Sequence, residues 1–137
     1  MTHTAAAVDA ALNAITFTAD GLVPVIAQQH DSGEVLMMAW MNADAVRETL
    51  TTGRVCYWSR SRGKLWRKGE TSGQQQRLVE FLIDCDGDTV LARVDQDGVA
   101  CHTGRRTCFF QAVYNDGLQV TQPIKIPPEQ LYGSPKK

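Results

Sequence analysis

The sequence predicts an α+β fold, mainly β, in a single compact domain of antiparallel strands with one clear helix. Short stretches rich in β-branched and aromatic residues recur along the chain and are separated by clusters of turn-forming residues. Only residues 43–52 combine helical periodicity with capping residues at both ends. No internal repeat or linker divides the 137 residues, a length that suits one domain.

The first strands follow an Ala-rich start. Residues 1–14 predict a flexible, at most loosely helical, N-terminal segment, and residues 15–18 alternate in polarity like a strand. Residues 22–29 and 34–41 are apolar runs on either side of the turn sequence His-Asp-Ser-Gly at 30–33. This pattern predicts a β-hairpin.

The helix at 43–52 is defined by its ends and by one apolar face. Asn42 is a favourable N-cap, and Gly53 suits the left-handed position that commonly follows the last helical turn. The spacing of three apolar residues places them on one face of the helix: Ala43, Val46 and Leu50.

The remainder of the chain again suggests strands. Stretches 54–60 and 65–68 flank a Ser-Arg-Gly-Lys turn, and the Gly-rich stretch 69–75 predicts a loop. Three further strands are expected at 77–83, 89–95 and 107–114. The prolines at 123, 127, 128 and 135 predict an extended and partly disordered tail. The expected organisation is a flexible segment 1–14, a domain at 15–121 and a Pro-rich tail at 122–137.

Composition excludes several classes of function. The formal net charge of -1 argues against a protein that binds polyanions over its whole surface. No apolar stretch approaches the roughly 18 residues that a transmembrane helix needs. The first residues lack the basic start and apolar run of a signal peptide, so we expect a cytoplasmic protein.

Three of the four cysteines lie close together in the sequence. Cys85, Cys101 and Cys108 fall outside any Cys-x-x-Cys pair, whereas Cys56 stands alone in an apolar strand and suggests core packing. Three thiolates leave one coordination position for water, which is the arrangement of a catalytic zinc site. Two alternatives remain open: the cysteines are buried or redox-active, or His102 is a fourth ligand and the site is structural.

Acidic residues surround the first of these cysteines. Asp84, Asp86 and Asp88 occupy alternate positions around Cys85 in a predicted hairpin tip. Crowded carboxylates suit a hard cation such as Mg²⁺. A solvated turn explains the same residues, because Asp and Gly are turn formers.

Basic residues are concentrated in two loops of a chain whose net charge is -1. Arginine side chains, hydroxyls and backbone N–H groups beside glycines are typical of phosphate-binding sites. Trp58 and Trp66 suit stacking on a base, although for any single residue a solvated charged hairpin with core tryptophans is the better interpretation. The candidate substrate-binding residues are Trp58, Arg60, Arg62, Lys68, Glu70, Ser72, Gly73, Arg105 and Arg106.

Five segments, taken in order, resemble the phosphoribosyl-AMP cyclohydrolase family of histidine biosynthesis, in its monofunctional form. They are Val-Leu-Met-Met-Ala-Trp-Met-Asn at 35–42, Tyr-Trp-Ser-Arg-Ser-Arg at 57–62, Leu-Trp-Arg-Lys-Gly-Glu-Thr-Ser-Gly at 65–73, Asp-Cys-Asp-Gly-Asp at 84–88, and Cys-His-Thr-Gly-Arg-Arg-Thr-Cys-Phe at 101–109. The resemblance departs from the family at Gln74, where His or Asn is expected.

The resemblance implies two metal sites and an intertwined homodimer. Cys85 of one chain would meet Cys101 and Cys108 of the other around one zinc ion per subunit. The three acids, Asp84, Asp86 and Asp88, would hold Mg²⁺. The expected partners are a small nucleotide and a second copy of the chain, with neither nucleic acid nor membrane.

The implied reaction is hydrolytic opening of the N1–C6 bond of 1-(5-phosphoribosyl)-AMP by a zinc-activated water, with Mg²⁺ assisting. His102 is the candidate general acid and base, although a structural imidazole or a metal ligand is an equally good interpretation. The alternative function is a zinc-stabilised nucleic-acid or nucleotide binding module. The absence of Cys-x-x-Cys pairs and the net charge of -1 argue against that alternative.

Overall fold

A computed structural model describes residues 2–132 and shows a small α+β domain that is mostly sheet. Three helices and eight strands are present in this part of the chain. In chain order they are α1 (Ala5–Ala14), β1 (Val23–Gln29), β2 (Val35–Met41), α2 (Ala43–Thr52), β3 (Cys56–Ser59), β4 (Lys64–Arg67), β5 (Gln76–Ile83), β6 (Val90–Gln96), β7 (Gln111–Tyr114), β8 (Gly117–Val120) and α3 (Pro128–Tyr132).

The central sheet has four strands in the order β2-β1-β6-β5. The predicted hairpin of β1 and β2 is confirmed, and β5 pairs with β6 antiparallel around the acidic tip. The expected antiparallel strands are confirmed, and one pair departs from this pattern: β1 and β6 are parallel, with Val25 opposite Val90. A parallel pair requires a long crossover connection, and here it runs through β2, α2, β3, β4 and β5.

The core lies on one face of this sheet. Alternate residues of β1 and β6 are buried, and α2 packs its apolar face among them. The predicted limits of α2 are confirmed: the Asn42 side chain accepts a hydrogen bond from the N–H of Ala45 at 2.8 Å, and Gly53 ends the helix at φ 77°. Gly53 adopts this left-handed conformation without steric cost.

The N-terminal segment differs from its expected flexible form. Thr4 caps a regular helix α1, in which Val8 is buried in the core. Residues 15–18, predicted as a strand, form none. Instead the N–H of Thr16 bonds to the carbonyl of Gly87 at 2.7 Å, so this segment leads the chain beneath the β5–β6 turn.

The hairpin of β3 and β4 packs across α2. Arg67 of β4 makes two hydrogen bonds to the carboxylate of Glu48, at 2.7 and 2.8 Å. Tyr57 is fully buried and its hydroxyl donates to the side chain of Gln76 at 2.7 Å. These contacts fix β4, and with it Trp66 and Lys68, against the domain.

The C-terminal part of the chain differs from the elements predicted from the sequence. The predicted strand 107–114 is regular only from Gln111, because Cys108 and Thr107 instead bond to β2. The sequence did not predict β8 or α3. Of the predicted disordered tail, residues 122–132 follow a defined path and residues 133–137 lie outside the described residues. Within residues 2–132, no helix is long and apolar enough to cross a bilayer.

Candidate functional site

The loop between β6 and β7 is folded back against β2. The N–H of Cys108 donates to the carbonyl of Leu36 at 2.7 Å, and the Thr107 hydroxyl donates to Val35 at 2.8 Å. Inside the loop, Cys101 and Arg105 are joined by a backbone bond of 3.1 Å, which closes a tight turn. Cys101 and Cys108 lie near the two ends of this stretch of the loop, and the turn between them brings them together.

The thiols of Cys101 and Cys108 lie beside each other. Cys101 is buried, and its sulfur accepts a hydrogen bond from the Thr103 hydroxyl at 3.0 Å. Desolvation and the neighbouring Cys101 thiol raise the pKa of Cys108 to about 12. Two closely spaced sulfur atoms that repel each other as thiolates are a natural place for a soft cation.

Cys85 lies elsewhere, exposed at the tip between β5 and β6. Its nearest polar partner is the carboxylate of Asp86, at 3.7 Å. Within residues 2–132 of one chain, no three His, Cys, Asp or Glu side chains are arranged to hold a metal ion. The structure therefore brings together two of the three predicted thiol ligands and separates the third from them.

The acidic tip is a hydrogen-bonded turn. The Asp84 carboxylate accepts the N–H of Asp88 at 3.0 Å, and its carbonyl accepts the N–H of Gly87 at 3.0 Å. The Asp84 carboxyl, first by hydrogen bonding and then by its charge, raises the pKa of Asp88, with a smaller contribution from Asp86. Asp84 and Asp88 are thus close neighbours, and Asp86 lies near enough to influence them.

A cavity of about 400 Å³ opens beside the loop between β6 and β7 (residues 97–110), which is called the cysteine loop from here on. Four predicted site residues line it: Arg62, Lys68, Ser72 and His102. Trp66, Gly69, Thr71 and Tyr132 complete its wall. The wall combines cations, hydroxyls, a glycine backbone and aromatic rings, which together suit a phosphorylated aromatic ligand.

Lys68 lies between this cavity and the thiol pair. Its side chain is buried, and its ammonium lies 5.7 Å from the centre of the Trp66 ring. Desolvation lowers the pKa of Lys68, whereas the charges of Cys108 and Cys101 act in the opposite direction. The buried ammonium of Lys68 favours anionic groups both at the thiol pair and in the cavity.

Three predicted substrate-binding arginines have structural partners instead of lining the cavity. Arg60 lies over the Trp40 ring at 4.8 Å, and Arg105 lies over Phe110 at 4.1 Å. Arg106 bonds to Glu34 at 3.4 Å and to two backbone carbonyls of the cysteine loop. Each guanidinium therefore holds a loop in place.

The other three predicted substrate-binding residues also lie outside the cavity wall. Glu70 accepts the N–H of Arg67 at 2.7 Å, which stabilises the turn after β4. Trp58 is half-buried in β3 opposite Leu65, and Gly73 ends the loop at φ 79°. Their partners explain their positions without a ligand.

Sequence reasoning did not assign two residues that shape the site. Gln74 accepts the N–H of Val99 at 3.1 Å through its side chain, while its carbonyl accepts the Gln96 amide at 3.1 Å. Gln74 thereby joins the Gly-rich loop at 69–75 to the start of the cysteine loop. Tyr132 reaches the cavity from a tail that composition predicted to be disordered. No sequence pattern near either residue indicated these contacts.

Comparison with known proteins gives a consistent result. A family model described as phosphoribosyl-AMP cyclohydrolase matches residues 37–110. The phosphoribosyl-AMP cyclohydrolase of Paramagnetospirillum magneticum is 72% identical over 123 residues, covering 90% of this chain and 93% of the relative. The enzyme of that name from Rhodospirillum rubrum is 66% identical, with coverage of 88% and 85%. That from Rhodospirillum centenum is 60% identical, with coverage of 95% and 98%.

Proposed function

Because this chain belongs to the phosphoribosyl-AMP cyclohydrolase family, we propose that it opens the adenine ring of 1-(5-phosphoribosyl)-AMP by hydrolysis of the N1–C6 bond. It is a hydrolase, and its relatives support a place in histidine biosynthesis. The observation that favours this reaction most is the cavity beside the paired thiols, in which Arg62 and Lys68 lie next to Trp66 and His102. Cations suit the phosphates, and the ring of Trp66 suits the base.

Zinc suits the thiol pair, with Cys85 from a second chain as the third ligand. Thiolates are soft ligands, and Lys68 and Thr103 provide a buried cation and a hydroxyl donor beside them. Three sulfur ligands leave one coordination position free. A bound zinc ion supplies an activated water at neutral pH.

The side chains around the cavity have separate proposed tasks. Arg62, Lys68 and the hydroxyl of Ser72 hold phosphate oxygens, and Trp66 orients the base. His102 takes the proton from the oxygen that adds to C6 and returns it to N1 as the N1–C6 bond breaks. Addition of water across this bond leaves a carboxamide at C6 and a protonated amidine nitrogen at N1, so the atoms balance.

Mg²⁺ is proposed at the acidic tip, where Asp84, Asp86 and Asp88 would have to turn toward one another to serve as its ligands, since in the described residues they do not surround a metal position. The Asp84 carboxyl raises the pKa of Asp88 first by hydrogen bonding and then by its charge, so the two groups are close enough to share a cation. Carboxylate oxygens are ligands that Mg²⁺ prefers. The cation would neutralise phosphate at the edge of the site.

A homodimer is proposed because apolar surface and ligands are both left unpaired in one chain. The hairpin of β7 and β8 exposes Val113, Leu118 and Val120 to 81%, 64% and 58%. On the outer face of the central sheet, cross-strand neighbours form an apolar row: Met38, Ile26, Leu91 and Leu82. A second copy that covers such surfaces would also bring its Cys85 to the thiol pair.

The test is incubation of the purified protein with phosphoribosyl-AMP while near-UV absorbance is followed. We expect turnover by the wild type and by Arg47→Met, a control that removes an exposed cation paired with Asp44 on α2. Lys68→Met should lose most of the activity, since it removes the buried cation of the cavity. Zinc binding without turnover by the wild type would contradict the reaction and favour a zinc-stabilised binding module.

A further inference from the structure

The segment from Thr121 to Tyr132, here called the C-terminal strap, runs along the cysteine loop. Thr121 donates its N–H to Phe110 at 2.7 Å, and Arg105 donates to the carbonyl of Gln122 at 3.0 Å. Farther along, the N–H of Lys125 bonds to the carbonyl of Gly104 at 2.8 Å. Backbone contacts therefore fix the strap to the loop that holds Cys101 and His102.

Close packing reinforces these hydrogen bonds. A β-carbon built on Gly104 would overlap the carbonyl oxygen of Ile126, so only glycine permits this approach of the two segments. At the end of the strap, Leu131 is 6% exposed and anchors α3 in the domain. The adjacent Tyr132 is thereby held at a defined position.

Tyr132 forms part of the cavity wall, together with Trp66 and His102. Its side chain is partly desolvated and lies near enough to Cys101 and Cys108 that their charges contribute to raising the pKa of its phenol. About half of the residue (49%) remains exposed, so one side of the ring is free for a ligand. Tyr132 therefore lines the same cavity as His102, the sequence neighbour of Cys101.

We propose that Tyr132 contacts the substrate, and that its ring packs against the purine while the C-terminal strap holds it there. The inference rests on the proposed function. In that reaction the carbon under attack must approach the thiol pair, so the base lies beside His102, in the cavity that Tyr132 also lines. Aromatic rings stack on bases without requiring a particular hydrogen bond. The strap lies beyond residues 37–110, which the family model matches.

The experiment compares three full-length variants with the wild type. Tyr132→Ala should raise KM for phosphoribosyl-AMP about tenfold, in line with the loss of one base-stacking ring, with little change in kcat. Tyr132→Phe should remain close to the wild type, because the ring is retained. Gln130→Ala is the control, an exposed position of the same short helix outside the cavity wall. Thermal unfolding of all variants separates loss of contact from loss of folding.

A second measurement separates this inference from the reaction. The dissociation constant of phosphoribosyl-AMP is measured by equilibrium dialysis with metal-replete protein, for the chains with and without Tyr132→Ala, each carrying His102→Ala to block turnover. Equal dissociation constants for these two chains would overturn the inference alone. Tight binding by a metal-replete wild type that shows no turnover would overturn the reaction alone. A wild type that binds no phosphoribosyl-AMP would overturn both.

Discussion

The hydroxyl of Thr103 donates a hydrogen bond to the sulfur of Cys101 across 3.0 Å. Such a bond fixes the orientation of the sulfur as a possible ligand. Outer partners of this kind typically contribute tenfold or more to metal affinity. The hydrogen bond thus connects Thr103, which is not a proposed metal ligand, to the proposed zinc site.

Thr103→Val should weaken zinc binding by about tenfold, because the donor is lost while the shape of the side chain is kept. Thr103→Ser should restore most of the affinity. Competition with a chromophoric chelator measures both. Thr52→Val is the matched control, since the Thr52 hydroxyl bonds to the carbonyl of Glu48 in α2. Equal affinities for Thr103→Val and the wild type would show that the bond has no role at the metal.

Cysteine replacement should divide the four thiols into two groups. We expect one zinc ion per chain, lost together with activity in Cys85→Ser, Cys101→Ser or Cys108→Ser. Cys56→Ser should keep both, because Cys56 is fully buried and desolvation raises its pKa to about 12. Zinc content measured by atomic absorption distinguishes the two groups of cysteines. The zinc assignment fails if Cys56→Ser loses as much metal as the other three variants.

The acidic tip should respond to Mg²⁺ and not to zinc. Asp84→Asn and Asp86→Asn should abolish stimulation by Mg²⁺ while retaining zinc, since hard and soft ions select different ligands. Activity is titrated with Mg²⁺, and zinc content is measured on the same preparations. Full activity with an unchanged Mg²⁺ response would mean that the tip is only a turn.

Two inactive variants should complement each other if the zinc site is shared. In a mixed dimer of Cys85→Ser and Cys101→Ser chains, one site contains both lesions and the other contains none. Refolding the two together should therefore restore up to about half of the wild-type activity per mixed dimer. A site within one chain would leave every site damaged, so mixed dimers without activity refute the shared site.

Acid should remove the contribution of the Glu48–Arg67 ion pair to stability. The hydrogen bond from Arg67 lowers the pKa of Glu48, with its charge adding to the effect. A lowered folded-state pKa means that stabilisation is present above the ordinary pKa of glutamate and is lost as the pH falls. Because both side chains are partly exposed, water screens the pair and its contribution to the free energy of unfolding is small.

The measurement is urea unfolding of the wild type and Glu48→Gln at about pH 7 and about pH 3. The wild type should be the more stable protein at the higher pH, and the difference should vanish at the lower. A difference that persists unchanged in acid would show that the loss arises from packing and not from charge.

Local patterns predicted the elements whose causes are local. Helix α2 has its cap, its apolar face and its terminal glycine within the residues of 42–53, and β1 and β2 are joined by their own turn. Residue type and immediate neighbours were sufficient there. Ser72 and Lys68, predicted from residue type to bind substrate, line the cavity, and their role there stays a prediction.

Features that depend on distant segments could not be predicted in this way. The contact of Arg60 with Trp40 was not predicted, because Trp40 lies on another strand. The position of Tyr132 could not be predicted from its Pro-rich tail, because it depends on the burial of Leu131 and the contact of Gly104 with Ile126. Cys85 lies apart from Cys101 within one chain, and its expected meeting with Cys101 and Cys108 of a second chain stays a prediction.

The parallel pairing of β1 with β6 has a consequence for synthesis of the protein on the ribosome. Val25 can pair with Val90 only after Val90 has been synthesised. The centre of the sheet therefore cannot form until the nascent chain has emerged through β6. Until then the edge of β1 that β6 will cover presents unpaired N–H and C=O groups beside apolar side chains, which favours association between nascent chains. Chaperone capture of incomplete chains should therefore decline once β6 has emerged.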